Sequence, residues 1–267
     1  MFSGITIASM LICGLLCIII PIGAMIIYKK KNKDVRISSF LIGGAVFFLF
    51  ALVLEQIMHY FMLPVVSGST AAYVLYGAFA AGIFEETGRL AAFKTVMKRQ
   101  NDPKEAVMYG LGHGGFEAIL LAGISMLGSA VTAIMTNQMG VEAMVSLSSG
   151  GNAETSEALR SQLEMLAAVG TGTMLLSVLE RIIAMTFHTA MSVMVFERAR
   201  VKSKGFLFPV CIAFHAVVDI PAVLYQRQVI PLYTVYPIII IITAAAVYFA
   251  VKSYRRTMAV CTEEETA

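Results

Sequence analysis

Residues 4–31 read GITIASMLICGLLCIIIPIGAMIIYKKK. The run from Gly4 to Tyr28 holds no charged side chain, and Lys29, Lys30 and Lys31 end it abruptly. An uncharged apolar run of this length crosses the hydrocarbon core of a bilayer as an α-helix. No basic segment precedes it, so it reads as a retained spanning helix rather than a cleaved signal peptide. The rest of the chain repeats the pattern. Of 267 residues 58% are hydrophobic and only 14% charged, where a soluble domain would carry about a quarter charged residues. The mean hydropathy is +0.79. The expected fold is all-α: a polytopic membrane helix bundle in one integral membrane domain, residues 1–267.

Seven helices are expected, near 4–28, 37–63, 70–95, 104–134, 166–196, 205–224 and 233–251. The segments between them are of two kinds. One is basic: Lys29 to Lys33 with Arg36; Lys94, Lys98, Arg99 and Lys104; Arg198, Arg200, Lys202 and Lys204; and Lys252, Arg255 and Arg256 after the last helix. The other holds only Arg160 and Arg227. The two kinds alternate along the chain. Basic loops stay cytoplasmic, so the N-terminus is expected outside and the C-terminus inside, which requires an odd number of spans. The connection near 135–165 reads as external, with Gly140, Gly150 and Gly151; residues 154–166 suit an amphipathic surface helix or a flexible polar loop. The cytoplasmic tail, about 252–267, is expected to be disordered beyond Arg256. Of the four cysteines, Cys13 and Cys17 lie one helical turn apart with no second pair to complete a zinc knuckle. The 17 methionines read as lipid-facing or core-filling residues.

Ionisable side chains inside a bilayer are costly unless paired or wetted. The third helix carries Glu85, Glu86 and Arg89, the fourth His113 and Glu117, the fifth Glu180, Arg181 and His188, and the sixth His215 and Asp219. Counted from the nearest basic segment, Glu86, His113, His188 and His215 all lie roughly 12–17 Å deep at about 1.5 Å per residue. Four helices thus deliver carboxylates and imidazoles to one layer. Glu85 and Arg89, His113 and Glu117, and His215 and Asp219 are each spaced i,i+4, on one helical face. Arg181 and His188, spaced i,i+7, share a face too, and Arg181 reads as orienting a carboxylate. Glu55 and His59 fall in a different layer and read as a mutually paired, wetted couple outside the site. Gly110, Gly112, Gly114 and Gly115 permit close helix approach.

Two adjacent carboxylates at low dielectric do not readily both ionise. One can act on water as a base while its neighbour or a histidine supplies a proton, Arg89 can neutralise the anionic member, and imidazoles can hydrogen-bond an oxyanion. That is the equipment for hydrolysing an amide bond. The bland alternative is a set of buried ion pairs and interhelical hydrogen bonds that only fix packing. No cofactor is expected; the alternative is Zn2+ on His188, His215 and Glu86, although no H-E-x-x-H pattern is present.

These residues resemble a family. Phe84-Glu85-Glu86-Thr87-Gly88-Arg89 looks like the EExxR/K motif of the glutamic-type intramembrane proteases, the superfamily of the CPBP proteins and the PrsW proteases. Gly110-Leu111-Gly112-His113-Gly114-Gly115-Phe116-Glu117 looks like the second, glycine-rich PrsW-type motif, Arg181 with Phe187-His188 resembles the third, and Phe214 to Asp219 resembles the fourth, HxxxD. Size, helix count and motif order fit the YhfC-type branch of intramembrane peptidases, with the protease-like core over about 35–225. The resemblance implies that Glu85 or Glu86 activates the water, Arg89 supports that pair, His188 and His215 stabilise the oxyanion or share the proton, and Asp219 orients His215. In CPBP proteins the second motif supplies a histidine after Phe; here Glu117 takes that place, and His113 is the other candidate. The resulting expectation is an intramembrane endopeptidase of the cell membrane acting on a membrane-associated protein, its partners the bilayer and that substrate, with no nucleic acid. A proton-coupled transporter using the same cluster, or a seven-helix receptor or scaffold, is the rival reading.

Overall fold

A computed structural model describes residues 1–150 and 152–266; for Lys202 and residues 260–266 it describes the backbone alone. Gly151, read above as part of a loop, lies outside the described residues. The described residues are almost wholly helical. Helix α1 is Gly4–Lys31, α2 Ile37–Val66, α3 Thr70–Lys94 and α4 Pro103–Met139. Helices α5 (Val141–Ser149) and α6 (Ala153–Ala168) are short, and α7 (Thr171–Arg200), α8 (Leu207–Gln226) and α9 (Leu232–Thr266) complete the order. All of these but α3, α5 and α6 are long and apolar enough to cross a membrane, six helices among the described residues. The seventh expected span is α3. Its 25 residues have the length, but Glu85, Glu86 and Arg89 lower its apolarity, and all three are buried.

Of the two readings of residues 154–166, the helix is the one found, as α6. The departures from expectation are α5 ahead of it and the helical tail. Gly140 (φ 89°) and Gly150 (φ 58°) take the left-handed backbone that ends one helix and starts the next, and the Asn152 side chain accepts the Thr155 N–H at 2.9 Å to cap α6. The tail beyond Arg256, expected to be disordered, continues the α9 backbone to Thr266.

The chain packs as two compact units. One comprises Met1–Ile20 and Ala118–Arg181. Its core is apolar: Phe2, Met10, Cys13, Cys17, Ala130, Ala133, Met174 and Val178. The Asn137 side chain closes it, accepting the Phe2 N–H at 2.9 Å and donating to the Phe2 carbonyl at 2.8 Å. The other comprises Pro21–Glu117 and Ile182–Ala267, and its core centres on Phe93, Tyr109, Phe187, Met191, Phe196 and Cys211. Within it, α2 lies along the first half of α4 because glycine removes the side chains between them: a Cβ on Gly112 would come within 1.9 Å of the Phe40 carbonyl oxygen. Glu105 fastens the same pair, its carboxylate accepting from Arg36 N–H at 3.0 Å and Ser39 Oγ at 2.5 Å. Arg200, at the end of α7, donates to the carbonyls of Phe93, Met97 and Gln100, capping the end of α3.

Candidate active site

Four helices of the second unit converge on one polar cluster. Helix α3 supplies Glu85, Glu86 and Arg89, α4 supplies His113 and Glu117, α7 supplies His188, and α8 supplies His215 and Asp219. The imidazoles of His113 and His188 have ring centres 4.9 Å apart, and those of His188 and His215 are 5.3 Å apart. The common depth counted from the basic segments thus corresponds to actual contact.

The two neighbouring glutamates have different surroundings. Glu86 is fully buried. Its Oε1 pairs with the Arg89 guanidinium and lies 2.8 Å from His215 Nδ1. Glu85 Oε2 lies 2.7 Å from His113 Nε2 and 3.6 Å from His188 Nδ1, and its Oε1 is 3.8 Å from His215 Nε2. Glu85 also lines a cavity of about 370 Å³, together with Glu117, His188, His215 and Asp219. Arg89 pairs with Glu86 at i,i+3, not with Glu85 at i,i+4, and its Nη2 reaches His188 Nδ1 at 3.1 Å. His188 Nε2 faces Glu117 Oε2 at 2.8 Å, and His215 Nε2 faces Asp219 Oδ2 at 3.6 Å. Both alternatives for the second motif are therefore engaged: His113 with Glu85, and Glu117 with His188. Phe187 stands edge-on to His188 and His215 and walls the cluster from the apolar core.

One guanidinium faces four carboxyl groups here. The remaining compensation has to come from imidazolium charge, from protons on the carboxyls or from a bound cation, because unpaired charge at this depth is prohibitive. A cluster balanced in this way holds exchangeable protons beside a cavity, the requirement for general acid–base chemistry.

Arg181, read with His188 as one face, belongs to the other unit, where its Nε donates to Glu180 Oε2 at 2.5 Å. Sequence reasoning left out Glu55, His59 and Tyr76. Glu55 is buried, and His59 lines the same cavity as Glu85. The i,i+4 spacing of Glu55 and His59 was the available signal, and depth counting set it aside.

The same stretch is what the chain shares with known proteins. A family described as YhfC intramembrane metalloprotease matches residues 16–240, a span that contains every candidate residue. The chain belongs to the YhfC intramembrane metalloprotease family. It is also similar to an uncharacterized membrane protein YhfC of Bacillus subtilis (strain 168), 32% identical over 262 residues, 96% of this chain and 99% of the relative. No solved structure matches it significantly. With its apolar helices and this family, the chain is a multi-pass protein of the cell membrane, and the family name carries intramembrane proteolysis.

The YhfC family name also raises a metal. Glu85, His113 and His188 each offer one donor atom, all within 4.8 Å of one another. Two imidazoles and a carboxylate make a common catalytic zinc set, and Glu117 behind His188 is the carboxylate–imidazole pairing that orients a ligating histidine. The residues fit such an ion by kind and by convergence. They share only His188 with the trio His188, His215 and Glu86 read from the sequence, because Arg89 engages Glu86 and His215 turns its Nδ1 to the same carboxylate. An ion on His188 Nδ1 would have to displace the Arg89 guanidinium from that nitrogen.

Proposed function

We propose that this chain is a glutamic-type intramembrane endopeptidase that cleaves a peptide bond of a membrane-associated protein with a water activated by Glu85. One observation carries the reading: of the two adjacent carboxylates, Glu85 borders the cavity and Glu86 is sealed behind it against Arg89 and His215. A base has to reach water, and a counter-charge does not.

In this reading a cavity water gives a proton to Glu85 as its oxygen bonds to the scissile carbonyl carbon. His215, on the cavity wall, donates a hydrogen bond from Nε2 to the oxyanion that develops, while His188 on the same wall accepts from Arg89 at Nδ1 and donates to Glu117 at Nε2. Glu85 then returns the proton to the leaving nitrogen as the C–N bond breaks. His113 holds Glu85 in place, Asp219 orients the donor imidazole of His215, and Glu117 fixes His188. Glu86 and Arg89 form the fixed ion pair beneath them. With the basic segments cytoplasmic, the N-terminus is outside, the C-terminus inside, and cleavage falls in the cytoplasmic half of the bilayer.

The convergence of Glu85, His113 and His188 favours a zinc-dependent version as the second reading. Those three would hold the ion, which when bound supplies a Lewis acid and lowers the pKa of a bound water.

The test uses purified protein in bilayers with a library of transmembrane and juxtamembrane peptides, comparing wild type with Glu85→Gln, with and without a strong chelator. The expected result is cleavage that survives the chelator and disappears in Glu85→Gln. A Glu85→Gln rate equal to wild type overturns the assignment. Loss in chelator with recovery on added zinc moves the site to the second reading.

A further inference from the structure

The cavity beside Glu85 is elongated, and its direction is legible from its walls. On α3 it is lined by Tyr73, Gly77, Ala81 and Glu85, each four residues from the next and therefore on one helical face. Twelve residues separate the ends of that row, about 18 Å of helix. On α8 the lining runs from His215 through Asp219 to Gln226, and α2 adds His59 and Leu63. The cavity therefore extends from the cluster toward the start of α3 and the end of α8, the helix ends away from the basic segments. At that end Arg227 stacks on the Tyr73 ring at 4.9 Å and donates to the Ser67 carbonyl at 3.2 Å.

On the α2 wall stands a polar group that the cluster does not use. His59 Nδ1 lies 2.8 Å from Tyr76 Oη, and His59 Nε2 lies 3.3 Å from Glu55 Oε1. Glu55 is buried and directly follows a π-helical stretch of α2, Phe48–Leu54; such stretches recur at functional sites. His59 lines the cavity, and Glu55 and Tyr76 hold its ring there; such a polar group is costly in hydrocarbon and is sustained where water is present.

We propose that this cavity is the route by which water reaches Glu85, that it opens at the helix ends away from the basic segments, and that His59, fixed between Glu55 and Tyr76, is a positioning residue that keeps the route wet. Its use in catalysis rests on the hydrolytic reading; its wetness and direction rest on the cavity alone. Substrate enters separately in this scheme, since the route carries only water.

The experiment reads water directly. Single cysteines replace Gly77 and Ala81 in a Cys261→Ser background, whose other cysteines are buried. A Cβ on Gly77 makes only ordinary contact with Val223, so that position accepts the change. A small charged, membrane-impermeant thiol reagent is applied to sealed vesicles of either orientation. Lys98→Cys reports the basic side, and Ala190→Cys in the apolar core is the unreactive control. The expected result is labelling of both cavity positions from the side opposite Lys98→Cys. His59→Phe should slow labelling of Ala81→Cys at least tenfold, and His59→Gln should restore it. Absence of labelling at both positions, labelling from the Lys98→Cys side, or indifference to His59→Phe overturns the proposal. Since the readout is not proteolysis, expected labelling together with an active Glu85→Gln enzyme would sink the hydrolytic reading and leave the water route standing.

Discussion

The two units of this chain treat charge in opposite ways. In the unit of Met1–Ile20 and Ala118–Arg181, the buried polar side chains among the described residues are Ser9 and Thr136, both uncharged. Its Arg160 sits outside, bridging Glu142 at 2.5 Å and Glu157 at 3.6 Å, and its hydrogen bond holds the Glu142 carboxyl below the usual carboxylate range. In the unit of Pro21–Glu117 and Ile182–Ala267, Glu85, Glu86, Arg89, His113, His188 and His215 are all buried, each against a partner. The first unit keeps charge out of its core, and its half-buried Arg181 is paired with Glu180 beside it. The second is sustained only where a neighbouring side chain supplies the opposite charge or a hydrogen bond, and buried ionisable groups of this kind mark functional sites in membrane proteins.

The contrast can be broken at its centre. Glu85→Gln is expected to lower the proteolytic rate by about three orders of magnitude, the range for loss of a general base, with thermal unfolding in detergent close to wild type. An unfolded Glu85→Gln protein would show that the carboxylate is structural. Arg89→Ala leaves Glu86 buried without its cation, and breaking a buried pair from one side costs about 3–5 kcal/mol. The expected outcome is a protein that unfolds well below wild type in a thermal scan, whatever the substrate. Gly112→Ala attacks the scaffold beneath the cluster. Its new Cβ meets the Phe40 carbonyl, so α2 and α4 must separate, at about 1–3 kcal/mol for overpacking. A wild-type melting curve for Gly112→Ala would show that the helices are not so close. At the far end of the scale, Arg160→Ala in the other unit should leave the melting curve unchanged, since exposed ion pairs contribute little. A large shift there would erase the distinction between the units.

Much of this was legible in the residues. Apolar runs ended by lysine and arginine gave the spanning helices, since hydrocarbon thickness sets their length. Helical spacing and depth brought Glu85, Glu86, His113, His188 and His215 to one layer. Glu55 and His59 pair as their i,i+4 spacing suggested, but depth counting did not place His59 on the same cavity as Glu85. Such counting measures position along a helix, whereas a cavity lined by α3 from Tyr73 to Glu85 joins side chains at different depths. Helix α5 was obscured for another reason: glycine and serine around Gly140 and Gly150 read as loop, and here the two glycines bound it.

By itself, then, the sequence determined a membrane bundle, the identity of the ionisable residues and the layer they share, because these follow from hydrophobic length and from a rise per residue that every α-helix obeys. The partners were decided only by tertiary structure. Glu85 and Glu86 are consecutive, so they point about 100° apart around α3, and nothing in one helix says which direction meets a neighbour and which meets a cavity. The packing of α4, α7 and α8 against α3 settles that Glu86, already paired within its own helix to Arg89, meets His215, and that Glu85 faces His113 and the cavity. A side chain's chemistry here depends on which helix stands opposite it, and that is a property of the assembled bundle.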